Sequence, residues 1–274
     1  MFRLIAAPVL VLMFHTAAFA QNVAPIDTLF RALGLPEIIE IMREEGIRYG
    51  NDLEADLFDG RGGTGWAAVV ENIYDLGRMN DTVRNRMDAE LAGADLAPMI
   101  GFFISERGRE IVRLEIAARR ALLDESVEAA SRDALAAMIA DEAPRFGLLE
   151  EFAEVSELVD SNVVGALNSN YAFYMGMAES GVFPGEMTED DILADVWSQE
   201  DAIRVETEEW LYSYLALAYQ PLSDDDLQTY TAFFRTREGT VLNRAIFTAF
   251  DEMFVAVSLA LGQGAARFME GQEL

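Results

Sequence analysis

Leu96-Ala97-Pro98-Met99-Ile100-Gly101-Phe102-Phe103-Ile104-Ser105-Glu106-Arg107-Gly108 returns 131 residues later as Leu227-Gln228-Thr229-Tyr230-Thr231-Ala232-Phe233-Phe234-Arg235-Thr236-Arg237-Glu238-Gly239. Over positions 91–118 this ungapped register gives 8 identities in 28, where composition alone gives about 2. Leu91 falls on Leu222, Asp95 on Asp226, Arg113 on Arg244 and Ala118 on Ala249. Outside the window, Gly50 falls on Gly181 and Trp66 on Trp197.

The repeated segment has a local logic. A short helix starts near Asp95 or Ser223 and carries its apolar face to an aromatic pair, Phe102-Phe103 or Phe233-Phe234. Ser105 or Thr236 then caps a second helix, with Gly108 or Gly239 in its first turn. A helical Gly is about 1 kcal/mol worse than Ala, so its recurrence predicts a close approach where a Cβ would collide. The aromatic pair is expected to fill the corner between the two helices.

Outward from the corners, apolar residues recur three and four apart, and Val/Ile/Thr alternation is missing. The fold class is all-α: a tandem pair of related multi-helix units, 21–143 and 144–274, packed as a helical bundle. Leu35 to Phe58 is one helical stretch, Trp66 to Leu91 a second, and Phe146 to about Glu179 a long third. Another helix runs through Leu135 and ends before Pro144. Thr188 to about Leu217 makes one or two helices, and further helices begin at Ser223 and Thr236. The tail from Gly262 onward is Gly-, Gln- and Glu-rich and is expected to fray.

The two corners, Leu96 with Phe102-Phe103-x-Ser105-x-x-Gly108 and Leu227 with Phe233-Phe234-x-Thr236-x-x-Gly239, resemble the core of a family of exported bacterial all-helical domains of unknown function. That family carries a Leu-rich helix running into a Phe-aromatic-x-Ser-x-x-Gly corner. Here Phe replaces its more usual Tyr after the first Phe, and the second copy has Thr for Ser. The resemblance covers about thirty residues per copy and implies a helical fold and export. It brings no activity, substrate or catalytic residue.

Composition decides what the chain cannot do. It carries a formal charge of −28, every basic residue is Arg, there is no Cys, and the one His is His15. A Lys Schiff base, a Walker-type phosphate loop, a Ser-His-Asp or Cys-His nucleophile, a Cys/His zinc site and a disulfide framework each lack a required residue. Residues 1–20 read as a cleaved signal peptide: Arg3, the apolar run Leu4 to Phe14, then Ala18-Phe19-Ala20 before Gln21. The expected location is the periplasm. Charges are expected to interrupt every later apolar stretch before membrane-span length, leaving no stable span in the mature chain. Strong negative charge argues against nucleic acid and anionic lipid as partners.

Several motifs look chemical. Gly60-Arg61-Gly62-Gly63-Thr64-Gly65 satisfies G-x-G-x-x-G but follows a half-acidic segment with no parallel-sheet pattern, so it reads as an interhelical loop. Tyr171, Phe173, Tyr174, Met175 and Met177, with Met187 nearby, read as core or a lipophilic groove rather than a copper site. The acidic runs after Thr188 and Ser223 are helix starts. Glu179-Ser180 is similar to the Glu-Ser of helical cell-wall lytic enzymes, although Glu125-Ser126 offers the same dipeptide. Arg113 and Arg244, in register on helices that otherwise look buried, are candidates for an ion pair across to another helix or for an anion contact.

No residue is assigned a catalytic, cofactor-binding or metal-ligating role, and no cofactor is expected. The leading expectation is a non-catalytic binding or interaction module of the cell envelope, its partner an envelope protein or a small apolar ligand. The alternative is a carboxylate-dependent cell-wall (peptidoglycan) hydrolase or lytic enzyme.

Overall fold

The computed structural model of the chain describes residues 24–58, 61–179 and 188–269. The expected signal peptide therefore lies outside the described residues, as do Gly60, Ser180, Gly181 and Met187. Among the described residues there are thirteen α-helices and no strand. In the first half these are α1 (Pro25–Ala32), α2 (Leu35–Phe58), α3 (Gly63–Ile73), α4 (Leu76–Glu90), α5 (Ala97–Phe103), α6 (Glu106–Ala121) and α7 (Glu125–Ala140). The second half holds α8 (Pro144–Val155), α9 (Leu158–Glu179), α10 (Glu189–Ser198), α11 (Glu200–Tyr219), α12 (Asp224–Phe234) and α13 (Arg237–Met269). The chain is an all-α helical bundle.

Both corners are built alike. The Ser105 hydroxyl accepts the Gly108 N–H at 3.0 Å and donates to the Phe102 carbonyl at 2.6 Å. Thr236 makes the same two bonds, with the Gly239 N–H at 3.0 Å and the Phe233 carbonyl at 2.6 Å. A Cβ at Gly108 would collide with the Phe102 carbonyl oxygen, and one at Gly239 with that of Phe233. The close approach is thus between the first turn of one helix and the last turn of the helix before it. The aromatic pairs reach further than a single corner: Phe102 stacks on Phe233, and Phe103 meets Phe233 edge-on.

One continuous apolar core runs from Ile26 in α1 to Ala265 in α13 and draws on both halves of the chain. A satellite of Val163, Leu167, Ile192 and Val196 joins α9 to α10. Helix α13 is central, its buried Leu242, Ala245, Ala249, Met253, Val257, Leu261 and Ala265 spaced three and four apart. It packs on α9, α4 and α3. At the α9–α13 crossing the backbones nearly touch: a Cβ at Gly176 would meet the Leu259 carbonyl, and one at Gly262 that of Phe173.

Four sequence expectations need correction. The Trp66–Leu91 stretch is two helices, because the Asp75 carboxylate accepts the Arg78 N–H at 2.8 Å and caps α4 anew. The Phe146–Glu179 stretch breaks into α8 and α9 at Ser156-Glu157, where Glu157 takes left-handed backbone at φ 49°. The tail does not fray at Gly262; α13 continues to Met269 because Gly262, Gly264, Ala265 and Ala266 are buried contact residues. Finally, α13 is long and apolar enough by composition to cross a membrane, so charges do not interrupt every apolar stretch. In this fold its apolar stripe faces the core.

The register of the repeat does not extend to every matched residue. Trp66 is fully buried and donates its indole N–H to the Gly50 carbonyl at 2.7 Å. Its counterpart Trp197 is 54% exposed.

Candidate functional site

Helix α6 needs an apolar inner face, and Ile111, Leu114 and Ala118 supply it. Glu115 lies on that same face, four residues beyond Ile111 and three before Ala118. Its carboxylate points into a ring of tyrosines. The Tyr219 hydroxyl donates to Glu115 Oε1 at 2.6 Å, and the Tyr230 hydroxyl donates to the same oxygen at 3.2 Å. Tyr214 donates to the Glu115 backbone carbonyl at 3.3 Å. No arginine pairs with Glu115 among the described residues.

Burial pushes the Glu115 carboxyl up to about 7, against the two tyrosine hydroxyls, which favour its charged form. Burial, reinforced by the Glu115 charge, drives the Tyr219 and Tyr230 phenols far above their ordinary range, so both remain donors. Tyr214 rises for the same two reasons.

Glu115 borders a cavity of about 510 Å³ walled mainly by α9, α11 and α13, with contributions from α2, α6, α8 and α12. Aromatic rings dominate its wall: Phe152, Trp210, Tyr214, Phe247, Phe250 and Phe254 among them. Glu115 keeps partial exposure and lines this space, so its carboxyl is desolvated by protein yet reachable from the cavity. Phe152 stacks on Tyr230 and meets Tyr219 edge-on, which fixes both hydroxyls toward Glu115.

Three further charged or polar groups shape the wall. Arg119, one turn beyond Glu115, holds Glu45 of α2 with two bonds at 2.6 and 3.2 Å. Its guanidinium lies 5.3 Å from the centre of the Trp210 ring, which itself stacks on Tyr214. Asp251 of α13 accepts from Asn168 at 2.9 Å. Ser156 is 1% exposed and its hydroxyl has no hydrogen-bond partner, although its backbone carbonyl accepts from Asn243 at 2.8 Å. A buried hydroxyl left unpaired costs about 1–3 kcal/mol.

The residues singled out from the sequence sit elsewhere. Phe102, Phe103, Ser105, Gly108, Phe233, Phe234, Thr236 and Gly239 form the corners, and of these only Phe234 also touches the cavity wall. Arg113 does not reach across to another helix: it is 62% exposed and pairs with Glu110 one turn earlier on α6, at 2.6 Å. Arg244 is exposed, with no ion pair among the described residues. Both arginines point outward because the helix periodicity gives the inner face to Leu114 and Ala245 instead. Arg113 borders an open groove with Arg107 and Asp226, where Arg107 already holds Asp225 and Asp226. The anion contact therefore finds no unpaired guanidinium at Arg113.

Glu179 is exposed at the end of α9 and accepts from Gln263 at 2.9 Å, so it is not a sequestered acid. The glycine-rich loop is followed by α3 and preceded by α2, with no strand on either side, and the Gly63 N–H is taken by Glu54. That excludes the strand–loop–helix context of a dinucleotide fingerprint among the described residues. Thr188 and Ser223 do cap α10 and α12, Thr188 in a complete capping box with Asp191. No cluster of three or more metal-ligating side chains occurs among the described residues.

Sequence reasoning missed Glu115. In the register of the repeat it falls on Ile246, which lines the same cavity. An acid inside an apolar stripe, where the matched position 131 residues later is aliphatic, was the available signal. Fold and cavity together define an all-helical protein with a partly open, aromatic-lined cavity into which the Glu115 carboxyl faces. No protein-family model, curated protein or solved structure matches the chain.

Proposed function

We propose that this chain is an exported, non-catalytic binding protein that holds a small amphiphilic molecule in the cavity beside Glu115. The observation that carries the reading is the cavity itself: about 510 Å³ with a largely apolar, aromatic wall and a few polar side chains, Glu115, Asn162 and Asp251 among them. Concave, largely apolar clefts of this size with a few polar groups are the usual form of small-molecule sites. Export to the periplasm is supported by Arg3, the apolar run and Ala18-Phe19-Ala20, and the duplicated corners support two related units. The corner motif supports kinship with the exported helical family.

One observation favours the alternative of a carboxylate-dependent cell-wall hydrolase. A carboxyl raised to about 7 is what a general acid requires, and the acid in question is Glu115 rather than Glu179. Apolar surface outweighs polar surface across the cavity wall, which makes it a poorer match for a glycan strand, whose hydroxyls need polar partners. Zymography on purified cell wall separates the two: clearing by the wild type that Glu115→Gln abolishes would establish the hydrolase.

The binding reading is tested by titrating an apolar fluorescent dye into the wild type and into Ala166→Phe. Ala166 lines the cavity, and a phenyl ring there occupies part of it. Saturable binding is expected in the wild type, and a loss of about tenfold or more in a variant that still melts cooperatively. Equal dye affinity in both proteins, or no saturable binding in either, would overturn it.

A further inference from the structure

We infer that the molecule held in this cavity is a lipophilic amine, with its ammonium group on the Glu115 carboxylate and its apolar body among the aromatic rings; the inference rests on the binding reading above. Three charged side chains line the cavity, Glu115, Asp251 and Arg119. Arg119 is already committed to Glu45 and to the face of Trp210. Glu115 has no cationic partner among the described residues, only two phenol donors on one of its oxygens. An unpaired buried carboxylate is expensive, and a ligand cation supplies the missing counter-charge.

The wall selects the same chemistry. Tyr214, Phe250 and Phe254 line the same cavity, and aromatic rings attract a desolvated cation where its acidic groups repel a carboxylate ligand. A formal charge of −28 draws cations toward the protein from a distance.

Binding should follow the ionisation of Glu115. The groups facing it are Tyr214 and Tyr219 from α11, Tyr230 from α12 and Arg119 from its own helix. Asp251 on α13 and, through Arg119, Glu45 on α2 complete the set. Burial pushes the Glu115 carboxyl up to about 7, inside the range a titration can sweep. Amine affinity should therefore rise between about pH 5 and pH 8, while affinity for a neutral analogue stays flat.

The test is isothermal titration of the purified protein, at physiological salt, with decylamine, decanol and decanoate, which share one alkyl chain and differ in the head. At about pH 8 decylamine should bind at least about tenfold more tightly than decanol, with decanoate weakest. Glu115→Gln should erase the preference for the amine over the alcohol. Should Glu115→Gln fail to fold, the wild type still decides, because the amine preference must shrink toward pH 5. Equal affinity for amine and alcohol, or a preference that survives Glu115→Gln or ignores pH, would overturn the amine assignment while decanol binding leaves the cavity reading intact. If none of the three binds a folded wild type, both readings fall.

Discussion

The ring of Phe102 lies on the ring of Phe233, centroids 4.3 Å apart and planes 21° from parallel. The aromatic corners of the two matched segments therefore pack against each other as well as within themselves. Phe233 is almost fully buried, whereas Phe102 keeps part of its ring exposed. Phe233→Ala should lower unfolding free energy by about 3–5 kcal/mol and Phe102→Ala by about half as much. Chemical denaturation checks both; a Phe233→Ala midpoint equal to wild type would show that the junction is not part of the core.

Gly108 and Gly239 sit where a side-chain carbon would strike a carbonyl of the preceding helix. Alanine at either should destabilise by about 2 kcal/mol or more, since backbone must move. Gly101, in α5, has open space where its Cβ would go, so Gly101→Ala should instead gain up to about 1 kcal/mol. Thermal melts of the three variants should diverge in sign. A Gly239→Ala protein as stable as wild type would mean that the corner is looser than its geometry.

Glu115 makes stability depend on pH. Its folded value of about 7 lies above the ordinary 4.5, so between those limits the folded chain holds a proton that the unfolded chain has released. Stability from this group is therefore complete below about pH 4.5, falls as pH rises through the window, and levels above 7, a change of about 3 kcal/mol. Glutamine does not titrate. The stability of wild type minus that of Glu115→Gln should drop across this range; a difference that stays constant from about pH 4.5 to 8 would contradict the burial of the acid.

Tyr219 donates the shorter of the two bonds that hold the Glu115 carboxylate. Tyr219→Phe removes a charge-assisted hydrogen bond and should destabilise by about 1.5–3 kcal/mol near pH 8, and by less near pH 5, where Glu115 is protonated. It should also move the Glu115 transition to higher pH, readable by carboxyl NMR titration. Tyr230→Phe, which loses the longer bond, should do the same more weakly.

Helix content and the corners were legible because both are written in local spacing. Leu35–Phe58 is one helix as its periodicity says, and Ser105 and Thr236 cap as their positions say. The breaks at Asp75 and Glu157 were not legible, since a continuous apolar stripe hides a re-capped turn. Gly262 looked like a frayed end and is a contact, because its partner Phe173 belongs to a helix 89 positions earlier in the chain. The site divides in the same way. Glu115 could be found from its own helix, but Tyr214, Tyr219 and Tyr230 reach it from 99, 104 and 115 residues away. Such a constellation is tertiary and leaves no sequence pattern.

The most direct test of the account is native mass spectrometry of the protein purified from its native source, beside Ala166→Phe. The wild type should carry an added mass of a few hundred daltons that is released on unfolding, and the cavity-filled variant should fly bare. A wild type that flies as bare as Ala166→Phe, in gentle conditions and with its fold intact, would contradict the claim that this chamber exists to hold a ligand.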